Sequence, residues 1–392
     1  MAPGGRLGTT HRARRVHPAY TGTSYVPIMS PLALAVVPLL LTGVPAAPPV
    51  LTPTAVTQTF AEPADADDPA IWVNPAGVER SVVLGTLKEG GLAAFDLRGR
   101  TLGVVPAPAG PTPEAKPGRF NNVDVLGDLA FVSDRGRDRV RAYRVSAAGV
   151  RDVTSPGARP VFSASEAEVD EQHTAYGLAA GTVGGRDVVV TSRRSETRIA
   201  LLHVVEGRTV DTRVAATLDL PNRFTLPDGT TWSPCGDPGD DPQVEGMVID
   251  SRAGVLYAAQ EDVGIWRIPL RAGGFGEPKL VDRVRTFGAP QVYDPQTEEC
   301  AAAGPNPGFG GRWLEADAEG LTITGDKLIA SSQGDSRFVL YQRTGNFHAL
   351  RDFRVEGVEH SDGAAIVTGR LNLLVVHDGE RPDGTGFAFL RW

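Results

Sequence analysis

The sequence predicts an all-β fold, a six-bladed β-propeller. Three observations carry that expectation. From residue 64 onward helical periodicity is scarce, and short apolar runs alternate with turn residues. Glycine (46) and proline (31) are abundant, which suits many short strands joined by turns. Above all, one unit recurs six times: a small or acidic residue, an apolar strand, a turn, a second apolar strand, a polar knot and a third strand. Repeats of roughly 40–70 residues with three or four strands each suit propeller blades better than a sandwich with accidental internal likeness.

The six copies follow in order. The first joins "DPAIWVNP" (68–75) to "SVVLGTLKEGGLAAFDL" (81–97), and the second is "NVDVLGDLAFVSDRGRDRVRAYRV" (122–145). The third is "YGLAAGTVGGRDVVVTSRRSETRIALLHV" (176–204) and the fourth "EGMVIDSRAGVLYAAQEDVGIWRIPL" (245–270). The fifth is "EGLTITGDKLIASSQGDSRFVLYQR" (319–343), and the sixth runs from Asp362 to Trp392. Two insertions, 221–244 and 288–316, are rich in Pro, Gly and Asp and read as loops on one face. Each carries one of the two cysteines, Cys235 and Cys300. In an oxidising compartment these can form one disulfide stapling the loops, and otherwise they are free thiols.

The first 47 residues read as an export signal. Arg12, Arg14 and Arg15 precede the apolar "PLALAVVPLLLTGVPAA" (31–47), with cleavage expected near Ala46 or Ala47 and a start at Met1 or Met29. The segment is short and proline-broken for a membrane span, so a secreted protein without stable membrane association is expected. Residues 48–60 read as a linker and an early strand, leaving 61–392 for the propeller. The formal net charge of −8 argues against a nucleic-acid partner. An anionic ligand therefore needs a local basic cluster or a bridging cation. A monomer is expected.

The repeat turns scattered residues into rings. The residues that open the six blades are Asp68, Asn122, Tyr176, Glu245, Glu319 and Asp362. Four are carboxylates. Such a ring is costly unless water or cations fill the channel, and oxygen donors without His or Cys point to Ca²⁺. Asp67 joins Asp68 there, whereas Asp65 reads as turn and solvent. The positions after each second strand give Lys88, Arg135 and Arg193–Arg194 in blades one to three, then Glu261, Gln333 and Asp378. Asp378 reads as a turn former. A basic arc opposite carboxylates suits a phosphate held between Arg forks and metal. No G-x-S-x-G elbow, Walker loop or Arg-His-Gly nucleophile motif is present, which leaves metal-activated water.

The motifs "DDPAIWVNP", "FNNVDV", "VEGMVID", "LYAAQEDVGIW", "EGLTI", "LIASSQGDSRFVLYQR" and "HSDG" resemble those of the β-propeller phytases, from about residue 58 to the C-terminus. The resemblance implies a six-bladed, calcium-dependent enzyme that hydrolyses myo-inositol hexakisphosphate, of the 3-phytase type. It implies calcium ligation, with several ions, by Asp67, Asp68, Glu245, Glu261, Asp317, Glu319, Gln333 and Asp362. It implies phosphate binding by Lys88, Arg135, Tyr176 and Arg193, with in-line attack on phosphorus by calcium-bound water and no phosphoenzyme. Glu89 and Arg193 depart from the family pattern, which has lysines at both. Two further readings are open at this stage: a calcium-dependent lactonase or esterase-type propeller, and a secreted propeller that binds without catalysis.

Overall fold

The computed structural model describes residues 47–297 and 299–392. The expected signal peptide lies outside them, up to residue 46. Apart from one five-residue helix, Glu166–Asp170, and two single 3₁₀ turns, the regular structure is strand.

Each sequence repeat is an antiparallel sheet, counted here from its innermost strand. Blade 1 runs Pro69–Trp72, Val82–Thr86, Leu92–Phe95 and Thr101–Val105. Blade 2 runs Phe120–Leu126, Leu129–Asp134, Arg139–Ser146 and Gly149–Asp152, and blade 3 runs Ala175–Val183, Arg186–Arg193, Arg198–Glu206 and Val210–Asp219. Blade 4 has Val244–Asp250, Val255–Gln260 and Gly264–Arg271, with Lys279–Arg283 outermost. Blade 5 has Ala318–Thr324, Lys327–Ser332, Arg337–Gln342 and His348–Val355. Blade 6 has Ala364–Val367, Leu373–Arg381 and Gly384–Arg391.

The fourth strand of blade 6 comes from the start of the chain. Ala55 and Val56 pair with Phe389 and Ala388, and Val50–Leu51 lie parallel to Arg354–Val355 on the outer edge of blade 5. Residues 48–60 thus supply two short strands that tie the first segment to the last blades. The innermost strands neighbour one another in sequence, and that of blade 6 neighbours that of blade 1, closing the ring.

Burial follows position in the blade. Second strands such as Val82–Thr86 and Val255–Gln260 are buried along their whole length, because sheets pack on both of their faces. Their near-continuous apolar runs are what such a position demands. The outermost strand Thr101–Val105 is largely exposed. Core clusters fill the seams between blades. Trp72, Leu84, Phe120 and Tyr143 join blades 1 and 2, while Phe95, Phe387 and Phe389 join blades 6 and 1. Each fully buried large side chain contributes about 1.5–3 kcal/mol.

One device recurs where the innermost strand meets the channel mouth. The ladder between first and second strands shifts register between Phe120 and Val123, Ala175 and Leu178, Val244 and Met247, and Ala318 and Leu321. These bulges hold Asn121–Asn122, Tyr176–Gly177, Glu245–Gly246 and Glu319–Gly320, and a bulge re-aims the side chains it carries. Hydroxyls on the second strands clamp them. Thr86 Oγ1 accepts from the Asp68 amide at 3.0 Å and donates to the Asn121 carbonyl of the next blade. Ser192 Oγ likewise accepts from the Gly177 amide at 2.8 Å and donates to the Val244 carbonyl.

Glycine at three of these bulges is a packing requirement. A Cβ on Gly177 would lie 2.1 Å from the Glu245 carbonyl oxygen, and one on Gly246 would lie 2.3 Å from that of Glu319. The small residue lets each innermost strand press against the next, bringing the preceding side chains together at the mouth.

Candidate active site

Three carboxylates form the centre of the mouth. Single oxygens of Glu245, Glu261 and Glu319 all lie within 4.8 Å of one another. Glu245 and Glu319 sit on bulges of adjacent innermost strands, and Glu261 follows the second strand of blade 4. All three are buried, with Glu319 only 3% exposed. Glu261 Oε1 and Glu319 Oε2 meet no hydrogen-bond donor among the described residues.

The remaining carboxylates surround this core. Burial, then the charges of Asp67 and Asp362, pushes the Glu245 carboxyl up to about 8. Burial raises Asp362 to about 8 as well, helped by Asp67. Burial also lifts Glu261 and Glu319 well above the usual carboxylate range and raises Asp317, and the charges of Asp317 and Glu245 add to the effect at Glu261. Asp68 is raised by burial too, although its Oδ2 accepts from the Val123 amide at 3.0 Å. Gln333 Nε2 donates to Asp362, and the Gln333 amide donates to the Asp317 carbonyl at 2.9 Å. Repulsion and desolvation therefore act together on one spot.

Such a cluster calls for a cation. The donors are oxygens only, several are anionic, and four buried carboxylate oxygens (Asp65 Oδ1, Asp67 Oδ1, Glu261 Oε1, Glu319 Oε2) have lone pairs that no protein group meets. The residues fit a hard divalent ion such as calcium.

Cations line the other side. Lys88 Nζ lies 3.1 Å from Asp65 Oδ2 and 3.4 Å from Asp67 Oδ2, and these charges raise its pKa further. The Arg135 guanidinium sits 5.5 Å above the Tyr176 ring, and Tyr176 Oη donates to Glu245 Oε2. Burial and the charge of Glu245 raise the Tyr176 phenol, so it stays a donor.

The structure brings together Asp67, Asp68, Lys88, Arg135, Tyr176, Glu245, Glu261, Asp317, Glu319, Gln333 and Asp362. It turns Arg193 elsewhere: Nε donates to the His173 carbonyl at 2.9 Å and Nη1 lies 2.8 Å from Glu196 Oε1. Arg194 instead feels the charges of Arg135, Tyr176 and Glu261, and burial lowers its pKa. It lines a pocket with Gln243, Glu261 and Asp262. Two other expectations change. Asp65 is buried rather than solvated, because its turn packs against blade 6, where the Ala66 amide donates to Thr385 Oγ1, and it sits beside Lys88. Asp378 lies within a strand, where Arg381 Nε binds it at 2.6 Å.

Residues missed by sequence reasoning include Asp262, whose carboxyl burial and the charge of Asp317 raise to about 7. Its place directly after Glu261 was the available signal. Asn121, beside the ring residue Asn122, is another. The two insertions reach the site through the Cys235–Cys300 disulfide, whose Cα atoms are 6.0 Å apart. Cys235 lines the same pocket as Arg194 and Glu261.

A family profile described as Phytase matches residues 32–136 and 305–382. The 3-phytase of Bacillus subtilis (strain 168) is 26% identical over 351 residues, 81% of this chain and 75% of that protein. Both matches support the β-propeller phytase family. They support a hydrolase that acts on phosphate esters. Among solved structures, the regucalcin of Agrobacterium tumefaciens, a calcium-binding protein, is 12% identical with a TM-score of 0.48, covering 88% of this chain and 97% of its own. A streptogramin B lyase is 13% identical with a TM-score of 0.41, covering 84% and 96%.

Proposed function

We propose that this phytase is secreted and calcium-dependent, acts on myo-inositol hexakisphosphate as a monomer, and releases inorganic phosphate with a 3-phytase preference. The observation that carries the reading is the cage of Glu245, Glu261 and Glu319 facing the cations Arg135, Arg194 and Lys88 across one channel mouth. The substrate and the 3-position preference are carried over from the Bacillus relative. Secretion is supported by the apolar run over 31–47 and by the disulfide, since such bonds persist in oxidising compartments. No helix among the described residues is long and apolar enough to cross a membrane.

Asp67, Asp68, Glu245, Glu261, Asp317, Glu319, Gln333 and Asp362 would hold the calcium. When bound, it would neutralise substrate charge and lower the pKa of water for attack on phosphorus. The chain's own residues do the rest. Arg135 and Arg194 offer planar N–H forks to phosphate oxygens, and Lys88 adds a point charge. They stabilise charge that grows on those oxygens in the transition state. Tyr176 fixes the Glu245 carboxylate through its phenol proton. A second phosphate held by a neighbouring cation would keep the inositol ring from turning.

The test is phosphate release from phytate at neutral pH, after chelator dialysis and again with millimolar-range calcium restored. Activity that vanishes and returns supports the reading. Activity indifferent to calcium overturns the metal role, and turnover of lactones without phosphate release overturns the substrate.

A further inference from the structure

Asn121 bridges the basic and acidic halves of the mouth, binding Arg135 on one side and Glu245 on the other. Its side chain is 1% exposed. Nδ2 donates to Glu245 Oε1 at 2.7 Å and to Asn122 Oδ1 at 2.9 Å, and Oδ1 accepts from Arg135 Nη1 at 3.1 Å. Both amide protons and the acceptor are therefore engaged. The amide has only one workable orientation. Turned over, it would set an N–H against the guanidinium and an oxygen against a carboxylate. The backbone is held as well, since the Asn121 carbonyl accepts from Thr86 Oγ1 of blade 1.

We propose that Asn121 is a positioning residue that locks the guanidinium of Arg135 and the carboxylate of Glu245 into one arrangement. This rests on the reading that Arg135 binds phosphate and Glu245 holds calcium. Arg135 has no side-chain carboxylate partner among the described residues: its guanidinium meets Asn121 Oδ1 and the Tyr176 ring. A neutral acceptor orients the fork without cancelling its charge, which leaves that charge for a phosphate. Glu245 is held from both ends, by the Asn121 amide on Oε1 and the Tyr176 phenol on Oε2. Its rotation is fixed before any ligand arrives. A carboxylate at position 121 would pair with Arg135 and repel Glu245, and a hydrophobic residue would leave Glu245 held at Oε2 alone and the Arg135 fork without its side-chain acceptor.

A double-mutant cycle with a calcium titration tests the role. Asn121→Ala is expected to lower kcat/KM for phytate about tenfold, mainly through KM, but less than twofold when Arg135 is already Ala. Calorimetric titration of the chelator-stripped protein should show calcium binding weakened about threefold or more by Asn121→Ala and unchanged by it in a Glu245→Gln background. Far-ultraviolet circular dichroism checks the fold, and Asn121→Ser repeats the series if the Ala variant does not fold. Equal losses with and without Arg135, or calcium affinity that does not move, overturn the proposal. If the wild type releases no phosphate, the proposed function fails separately, and the calcium titration alone decides the role of Asn121.

Discussion

Arg193 and Arg194 are neighbours in sequence and part company in space. Arg193 pairs with Glu196 at 2.8 Å, whereas Arg194 lines a pocket beside Glu261. The end of a strand sends successive side chains to opposite sides, so only one of two adjacent arginines can face the mouth. Arg194→Ala is therefore expected to raise KM for phytate about tenfold or more, and Arg193→Ala less than threefold. Steady-state kinetics on both variants checks this, and the reverse order would return the role to Arg193.

Glu261 carries a buried oxygen with no donor. Replacing it by Gln keeps its shape and, at alkaline pH where the carboxyl ionises, removes one charge from a crowded, desolvated cluster. Turnover on phytate should fall at least tenfold. At alkaline pH the calcium-free variant should melt higher than the calcium-free wild type, because a buried repulsion is gone. Thermal melts with and without chelator read both effects, and a calcium-free variant that melts lower would contradict the repulsion.

The acidic cluster also sets a pH dependence for the metal-free protein. Glu245 and Asp362 are raised to about 8 by burial, above the ordinary range of an unfolded chain. Between those two limits the folded state binds more protons than the unfolded one, so stability falls as pH rises. His377, lowered to about 4 by burial, is neutral in both states above its unfolded value and adds little there. From about pH 6.5 to 8, the melting temperature of chelated protein should drop, and saturating calcium should remove most of the drop. A flat profile in chelator would show that the carboxylates are already ionised at pH 6.5.

Gly246→Ala places a Cβ 2.3 Å from the Glu319 carbonyl oxygen. Backbone cannot yield there without parting blades 4 and 5, and with them Glu245 from Glu319. Stability should fall by about 1–3 kcal/mol, and calcium affinity should fall with it. Denaturant melts and calorimetry test the pair of effects. Lost stability with unchanged calcium binding would uncouple the glycine from the cage.

The disulfide closes 65 residues of chain. Cys300→Ser together with Cys235→Ser should cost up to about 4 kcal/mol by loop-closure entropy. The effect should concentrate in the insertions, giving protease cuts within 221–244 or 288–316 before the blades open. Cleavage inside a blade first would show that the staple holds the ring itself.

The blades were legible because each repeat carries its own pattern of apolar strands and turns, and that pattern depends only on local chain geometry. The ring residues were legible for the same reason: Glu245 and Glu319 precede glycine at equivalent points of equivalent strands. Contacts between distant segments were not. The sequence left open whether Cys235 and Cys300 pair, and the fold brings their Cα atoms within 6.0 Å. It read Asp65 as solvated, but its burial beside Lys88 depends on a turn packed under blade 6, where Thr385 Oγ1 meets the Ala66 amide at 2.5 Å. It named Asn122 and passed over Asn121, whose partners Arg135 and Glu245 are 14 and 124 residues away. Period and composition determine which elements form and which residues sit at their ends. Which neighbour an end residue meets depends on how the blades close around the channel, and that contact is made only in three dimensions.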